Sequence, residues 1–194
     1  MREVPAVAID VPHGRPNPKD YAAFVNPDVK AWAKLGYDED AFFVELQTVE
    51  KDIRAEGKAV PDAPCDDSCL EFFFCPMQGD KRYFNIEFNL NGLLFLGFGE
   101  NVETLFRLVP EEENLFEPEP RKTADGWKIR YRVPFAFVRR FFPDFKPESG
   151  YAFRGNFYKC GDFTKIPHYY AWSEITREKL TFHAPECFGE LILE

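Results

Sequence analysis

The chain has 194 residues, of which 22 are Phe and 17% are aromatic, enough apolar surface to offset the conformational entropy of one fairly large domain and to exclude general disorder. Its 33 acidic against 24 basic residues give a formal charge of -9, which repels phosphate backbones and excludes nucleic acid as the expected partner. No segment approaches the ~20 apolar residues of a membrane span, so membrane insertion is not expected.

The first forty residues open with Met1 to Ile9, which contain Glu3 and Pro5 and no apolar stretch of signal-peptide length. The compartment expected is therefore the cytoplasm, or the exterior if a leader has been removed. Pro12 to Pro18, with His13, Gly14 and Pro16, reads as loop, and a strand follows near Trp32–Gly36. Tyr37-Asp38-Glu39-Asp40 is a turn into a strand over Ala41–Val49, where Phe42, Val44 and Leu46 alternate with Phe43, Glu45 and Gln47. Lys51 to Pro64 has charges, prolines and no period, hence a long loop.

Ser68–Cys75 is the next strand, with Leu70, Phe72 and Phe74 on one side and Cys69, Glu71 and Phe73 on the other. Tyr83–Leu90 alternates almost without fault: Phe84, Ile86, Phe88 and Leu90 against Tyr83, Asn85, Glu87 and Asn89. Asn91-Gly92 predicts a tight type I′ turn, returning Leu93–Phe98 antiparallel. The acidic, proline-bearing stretch from Glu111 to Pro120 cannot be a central strand. Trp127–Val133 is a strand, Pro134 starts a short helix over Phe135–Phe142, and strands near Tyr151–Tyr158, His168–Ser173 and Phe188–Leu193 close the set. About ten strands and one short helix, in one domain spanning residues 1–194, predict an all-β antiparallel sandwich of jelly-roll type.

The five cysteines, Cys65, Cys69, Cys75, Cys160 and Cys187, are odd in number and follow no zinc spacing, so neither a disulfide framework nor a sequence-local metal motif is indicated. Free thiols fit a reducing compartment. His13, His168 and His183 are widely separated, which favours structural histidines over metal ligands.

Several segments carry a family resemblance. Asp66-Asp67-Ser68-Cys69-Leu70-Glu71-Phe72-Phe73-Phe74 before Pro76 resembles the D-D-S-x-x-E-x-F pattern of family 9-like carbohydrate-binding modules. Tyr83 to Asn89 with Gly92, Trp127 with Val133-Pro134-Phe135, and Phe153 to Cys160 follow in the order of that family. Tyr170-Ala171-Trp172-Ser173, Phe182 to Glu186 and Phe188-Gly189-Glu190 are similar to its C-terminal signature, so the resemblance spans roughly Tyr37 to Glu194. It implies a jelly-roll sandwich, a sugar slot between two aromatic rings, and no obligate cofactor beyond a structural calcium, for which Asp38-Glu39-Asp40 and Asp66-Asp67 offer oxygens. Two positions depart from the sugar-binding branch, which carries tryptophan where Cys65 stands and arginine where Glu87 stands.

Strand parity groups Glu71, Asn85, Glu87, Asn89, Arg154, Asn156 and Tyr158 on one face, opposite the apolar residues. Amides, carboxylates and a guanidinium satisfy sugar hydroxyls in pairs, and Trp172 is the expected platform for the sugar ring. The leading expectation is non-catalytic binding of a mono- or oligosaccharide. Two alternatives remain: a glycan-processing enzyme using Glu71 and Glu87 as its carboxylate pair, and an interaction protein that kept the sandwich and lost the slot.

Overall fold

The computed structural model describes residues 5–12, 25–112, 114–177 and 181–194. In chain order the strands are β1 (Val7–Ile9), β2 (Val11–Pro12), β3 (Lys30–Tyr37), β4 (Ala41–Val49), β5 (Cys69–Cys75), β6 (Tyr83–Asn89) and β7 (Leu94–Gly99). They continue as β8 (Phe106–Leu108), β9 (Glu119–Lys122), β10 (Gly126–Pro134), β11 (Ala152–Gly161), β12 (His168–Ala171) and β13 (Gly189–Ile192), with one helix, α1 (Phe135–Arg139), after β10. One antiparallel sheet has the order β1-β3-β4-β10-β9; the other runs β2-β12-β11-β5-β6-β7-β8, with β13 also paired to β11. The chain is thus the expected all-β sandwich.

The alternation read from sequence decides what lies between the sheets. Leu70, Phe72 and Phe74 of β5, Phe84, Ile86 and Phe88 of β6, and Phe153 and Phe157 of β11 face Phe42, Val44 and Leu46 of β4 and Trp127, Ile129 and Tyr131 of β10. Phe72 stacks on both Phe74 and Phe157 at centroid distances of 4.9 and 4.8 Å, and Phe42 stacks on Phe153 at 5.1 Å. Each such ring contributes roughly 1.5–3 kcal/mol through burial alone. Trp127 is fully buried here, whereas Trp32 is half-buried on β3.

Two local expectations are corrected. The β6–β7 hairpin is not a two-residue type I′ turn: Gly92 N–H donates to the Asn89 carbonyl at 3.0 Å, and Gly92 alone has positive φ (77°). That is a type I turn followed by a left-handed glycine, and the Asn89 side chain selects it by accepting from the N–H groups of Asn91 and Leu93, both at 3.0 Å. The helix stops at Arg139 instead of reaching Phe142, because Phe142 precedes Pro143 and the chain tightens into i→i+3 bonds from Arg140 and Phe141. Phe142 still packs into the core. The proline-bearing acidic stretch does supply β9, but only as an edge strand. His13 and residues 13–18 of the first loop lie outside the described residues.

Candidate functional site

The face of the β11-β5-β6-β7 sheet that points away from the core is laid out by register. One row across the strands is Tyr158, Glu71, Glu87 and Phe95. The next is Asn156, Phe73, Asn85, Gly97 and Arg107. On the other side of the first row lie Tyr169, Cys160, Cys69 and Asn89. Sheet pairing therefore brings together the residues that sequence parity grouped.

They are not, however, a solvated surface. Glu71 is 2% exposed and Glu87 7%, and Asn85, Asn89, Asn156 and Tyr158 are buried. The reason is the segment after β12, which folds back over the sheet. Tyr158 stacks on Phe182 at 4.1 Å and donates to its carbonyl at 3.1 Å, and Tyr83 Oη shares a proton with His183 Nδ1 at 2.7 Å. Phe73 packs against His183 and Phe188.

Several expected ligand residues are committed to this architecture. Asn156 accepts from Ser173 N–H and donates to Ser173 C=O, both at 2.9 Å, clamping the returning chain. Asn89 donates to the Asp67 carboxylate at 2.9 Å and to the Gly57 carbonyl at 2.8 Å. Asp67 accepts from the N–H groups of Glu56 and Gly57 and pairs with Arg54, which pins the 51–64 loop and uses the oxygens considered for calcium. Asp38 Oδ1 likewise caps the N–H groups of Asp40 and Ala41. Arg154 is the cross-strand register partner of Cys75, on the same face.

Trp172 requires a correction. Its N–H donates to the Phe157 carbonyl at 2.9 Å, its ring meets Phe157 edge-on at 5.9 Å, and it stands over Gly189. Since Phe157 points inward, Trp172 belongs to the rim of the core, on the opposite side of the sheet from Glu71 and Glu87. Tyr170, of the same parity, is also in the core.

At the centre of the outward face Glu87 accepts from Asn85 and Glu71 from the Cys160 thiol, and no cation pairs with either among the described residues. Glu71 and Glu87 are direct cross-strand neighbours. Burial and then the charge of Glu87 push Glu71 well above the usual carboxylate range. Burial also raises Glu87, although Asn85 Nδ2 donates to it at 2.9 Å. Asn85 Oδ1 is buried and has no partner among the described residues. Such an unpaired acceptor costs ~1–3 kcal/mol; Tyr131 Oη and Arg132 Nε are the other buried side-chain atoms without a partner among the described residues.

Two residues that sequence reading passed over flank that floor. Phe95, half-buried, is the register neighbour of Glu87; strand alternation would have located it. Arg107 lies over the Phe95 ring at 4.9 Å and is the register partner of Gly97. It comes from the three-residue β8, too short for a periodic signal. Between them Gly97 keeps the space open, since a Cβ there would stand 3.0 Å from Leu105 and Phe95 and 3.2 Å from Asn85.

The sequence profile of carbohydrate-binding family 9 matches residues 17–193. The chain belongs to this family. A solved structure described as a candidate carbohydrate-binding protein from Bacteroides uniformis ATCC 8492 is 25% identical, with a TM-score of 0.81, covering 98% of this chain and 87% of that one. Two structures of a family 9 carbohydrate-binding module from Caldicellulosiruptor kristjanssonii, one with glucose and one with cellotriose, are each 14% identical with a TM-score of 0.65. They cover 98% of this chain and 84% and 83% of theirs, and at this identity they establish the shared fold. No match is found among curated proteins. Among the described residues no helix is long and apolar enough to cross a membrane.

Proposed function

We propose that this family 9 domain binds carbohydrate without transforming it, at the floor formed by Glu71, Glu87 and Asn85. The observation that carries the reading is the unpaired Asn85 Oδ1 beside Glu71 and Glu87, two buried acidic side chains with no ion-pair partner among the described residues. Sugar hydroxyls are both donors and acceptors and can satisfy all three groups at once. Phe95 offers the apolar ring and Arg107 the cationic donor, replacing the roles expected of Trp172 and of an arginine at position 87. Family membership and the glucose and cellotriose complexes of the Caldicellulosiruptor module support the ligand class.

The carboxylate pair also raises glycoside hydrolysis as a second reading. Against it, Glu87 is held by Asn85 and Glu71 by the Cys160 thiol, and the matched family is defined by binding. The deciding experiment is a thermal-shift screen against mono- and oligosaccharides, followed by calorimetry on the sugars that raise the transition. A sugar-dependent rise that disappears in Glu87→Gln supports the assignment. Turnover of aryl glycosides that disappears in Glu71→Gln would replace it with the hydrolytic reading, and absence of both would leave the domain as an interaction module.

A further inference from the structure

Below the same floor lies a second constellation, made of sulfur. Cys69 on β5 and Cys160 on β11 are register partners, and Glu71 is two residues along β5 on the same face. The sulfurs of Cys69 and Cys160 and a Glu71 oxygen all lie within 4.8 Å of one another and are buried. Cys160 Sγ is 2.9 Å from Glu71 Oε1. A separate trio, Cys65, Asp66 and Asp162, gathers its ligand atoms within the same distance and is only partly buried. The two trios adjoin: Asp162 N–H donates to the Cys65 carbonyl at 3.0 Å, and Cys160 Sγ is 3.9 Å from that carbonyl.

Buried cysteines ordinarily serve as small apolar side chains. That role does not account for carboxylates as their neighbours, nor for a face that opposes Glu71 to Glu87 with no lysine or arginine in ion-pair contact among the described residues. A cation accounts for both. Thiolate sulfur excludes calcium and magnesium as the fitting ion and suits zinc, whose structural and catalytic sites combine sulfur with carboxylate in a tetrahedron. Because the ligands come from strands far apart in the chain, no cysteine spacing could announce the site.

We propose that Cys69, Cys160 and Glu71 form a binding site for a zinc-class divalent cation, entered past Cys65, Asp66 and Asp162. Each of the two thiols gives up its proton as its sulfur–metal bond forms, and the fourth position faces the entrance, where Cys65 or water completes the shell. Glu71 is common to this site and the carbohydrate floor, whereas Cys69 and Cys160 belong to the metal site alone and Glu87, Asn85 and Phe95 to sugar recognition alone, so variants at those residues measure the two separately.

The test adds cobalt(II) and zinc(II) to the full chain, reduced with a non-thiol reductant and stripped by chelator. One equivalent of cobalt should produce sulfur-to-metal charge-transfer absorption in the near ultraviolet. Zinc should abolish that absorption by competition and release at least two protons per ion from the wild-type protein. Cys69→Ser and Cys160→Ser should each weaken binding by more than ~100-fold, while Cys75→Ser and Cys187→Ser leave it unchanged. Cobalt bound without sulfur absorption, absorption that survives in both site variants, or zinc uptake by wild type without proton release would each overturn the assignment. The proton-release measurement decides the matter even if the serine variants fail to fold. Sugar calorimetry on the same proteins distinguishes loss of the metal from loss of the carbohydrate site.

Discussion

Strands β5 and β11 carry a polar cluster on each face, and the two are built on opposite terms. On the inward face, Lys159 donates to His168 Nε2 at 2.8 Å, to the Cys160 carbonyl at 2.7 Å and to Ser68 Oγ at 3.3 Å, and pairs with Glu50 at 3.2 Å. Ser68 bonds Glu50 in turn and accepts from Trp127 Nε1 at 2.8 Å. One cation meets one anion, and every neighbour is satisfied. On the outward face two carboxylates oppose each other, thiols surround them, and Asn85 Oδ1 has no partner. Burial is equal on the two sides; closure of the network is not. A closed network serves the fold, because a buried polar group is tolerable once it is paired; the open one is where the proposed ligand would supply the missing partners.

The strongest way to break this contrast is to open the closed side. Lys159→Met leaves Glu50 buried without its cation and should cost about 3–5 kcal/mol in urea unfolding. Adding Glu50→Leu should recover much of that loss, since a desolvated pair is often replaceable by apolar side chains. A single variant as stable as wild type would show that the network is not a closed unit.

Acid should attack the same side next. His168 Nε2 accepts from Lys159 while its Nδ1–H donates to the Ile166 carbonyl at 2.8 Å, which fixes a neutral ring. Burial and then the Lys159 charge lower its pKa to about 3, with Glu50 at 3.7 Å too weak to reverse this. Burial lowers His183, bonded to Tyr83, to about 4. A folded pKa below the unfolded value of 6.5 means that only the unfolded chain takes up the proton in that window. Each histidine's contribution is therefore complete above about 6.5 and falls as pH drops toward 4, by on the order of 3 kcal/mol apiece, while Glu71 and Glu87, raised in the fold, act with the opposite sign over the same range. Denaturation profiles at pH 7, 5.5 and 4.5 on wild type and His183→Gln isolate the histidine: wild type should lose stability relative to the variant as pH falls.

How far the sequence reveals these two clusters follows from their geometry. Alternation in β5 and β6 placed Glu71, Asn85, Glu87 and Asn89 together, because period two is a local property. The burial of that face was not legible: it depends on Phe182 and His183 folding back from a segment with no period of its own. Trp172 was assigned to the wrong side for a related reason, since its orientation is set by pairing with Phe157, fifteen residues earlier in the chain. Lys159 sits in an inward position that alternation would give to an apolar residue, and only its partners Glu50 just after β4, His168 on β12 and Ser68 explain it.

Modest, more specific effects should appear on the open side. Glu87→Gln removes one of two opposed carboxylates, so the ligand-free protein should lose no stability, yet sugar affinity should fall by ~1.5–3 kcal/mol if a charge-assisted bond is lost. Calorimetry and unfolding on one preparation test both halves. Destabilisation comparable to that of Lys159→Met would place Glu87 in a structural network and erase the distinction between the faces.

The finest distinction concerns the two aromatic residues that could serve as the sugar platform. Phe95→Leu keeps an apolar side chain beside Glu87 but removes the flat ring and the surface on which Arg107 lies. It should weaken sugar binding by about 1 kcal/mol, roughly fivefold, with little change in unfolding. Trp172→Leu should do the reverse, loosening the contact with Phe157 while leaving sugar affinity nearly intact. An affinity loss that follows Trp172 instead of Phe95 would move the platform to the core rim and, with it, the carbohydrate site away from Glu71 and Glu87.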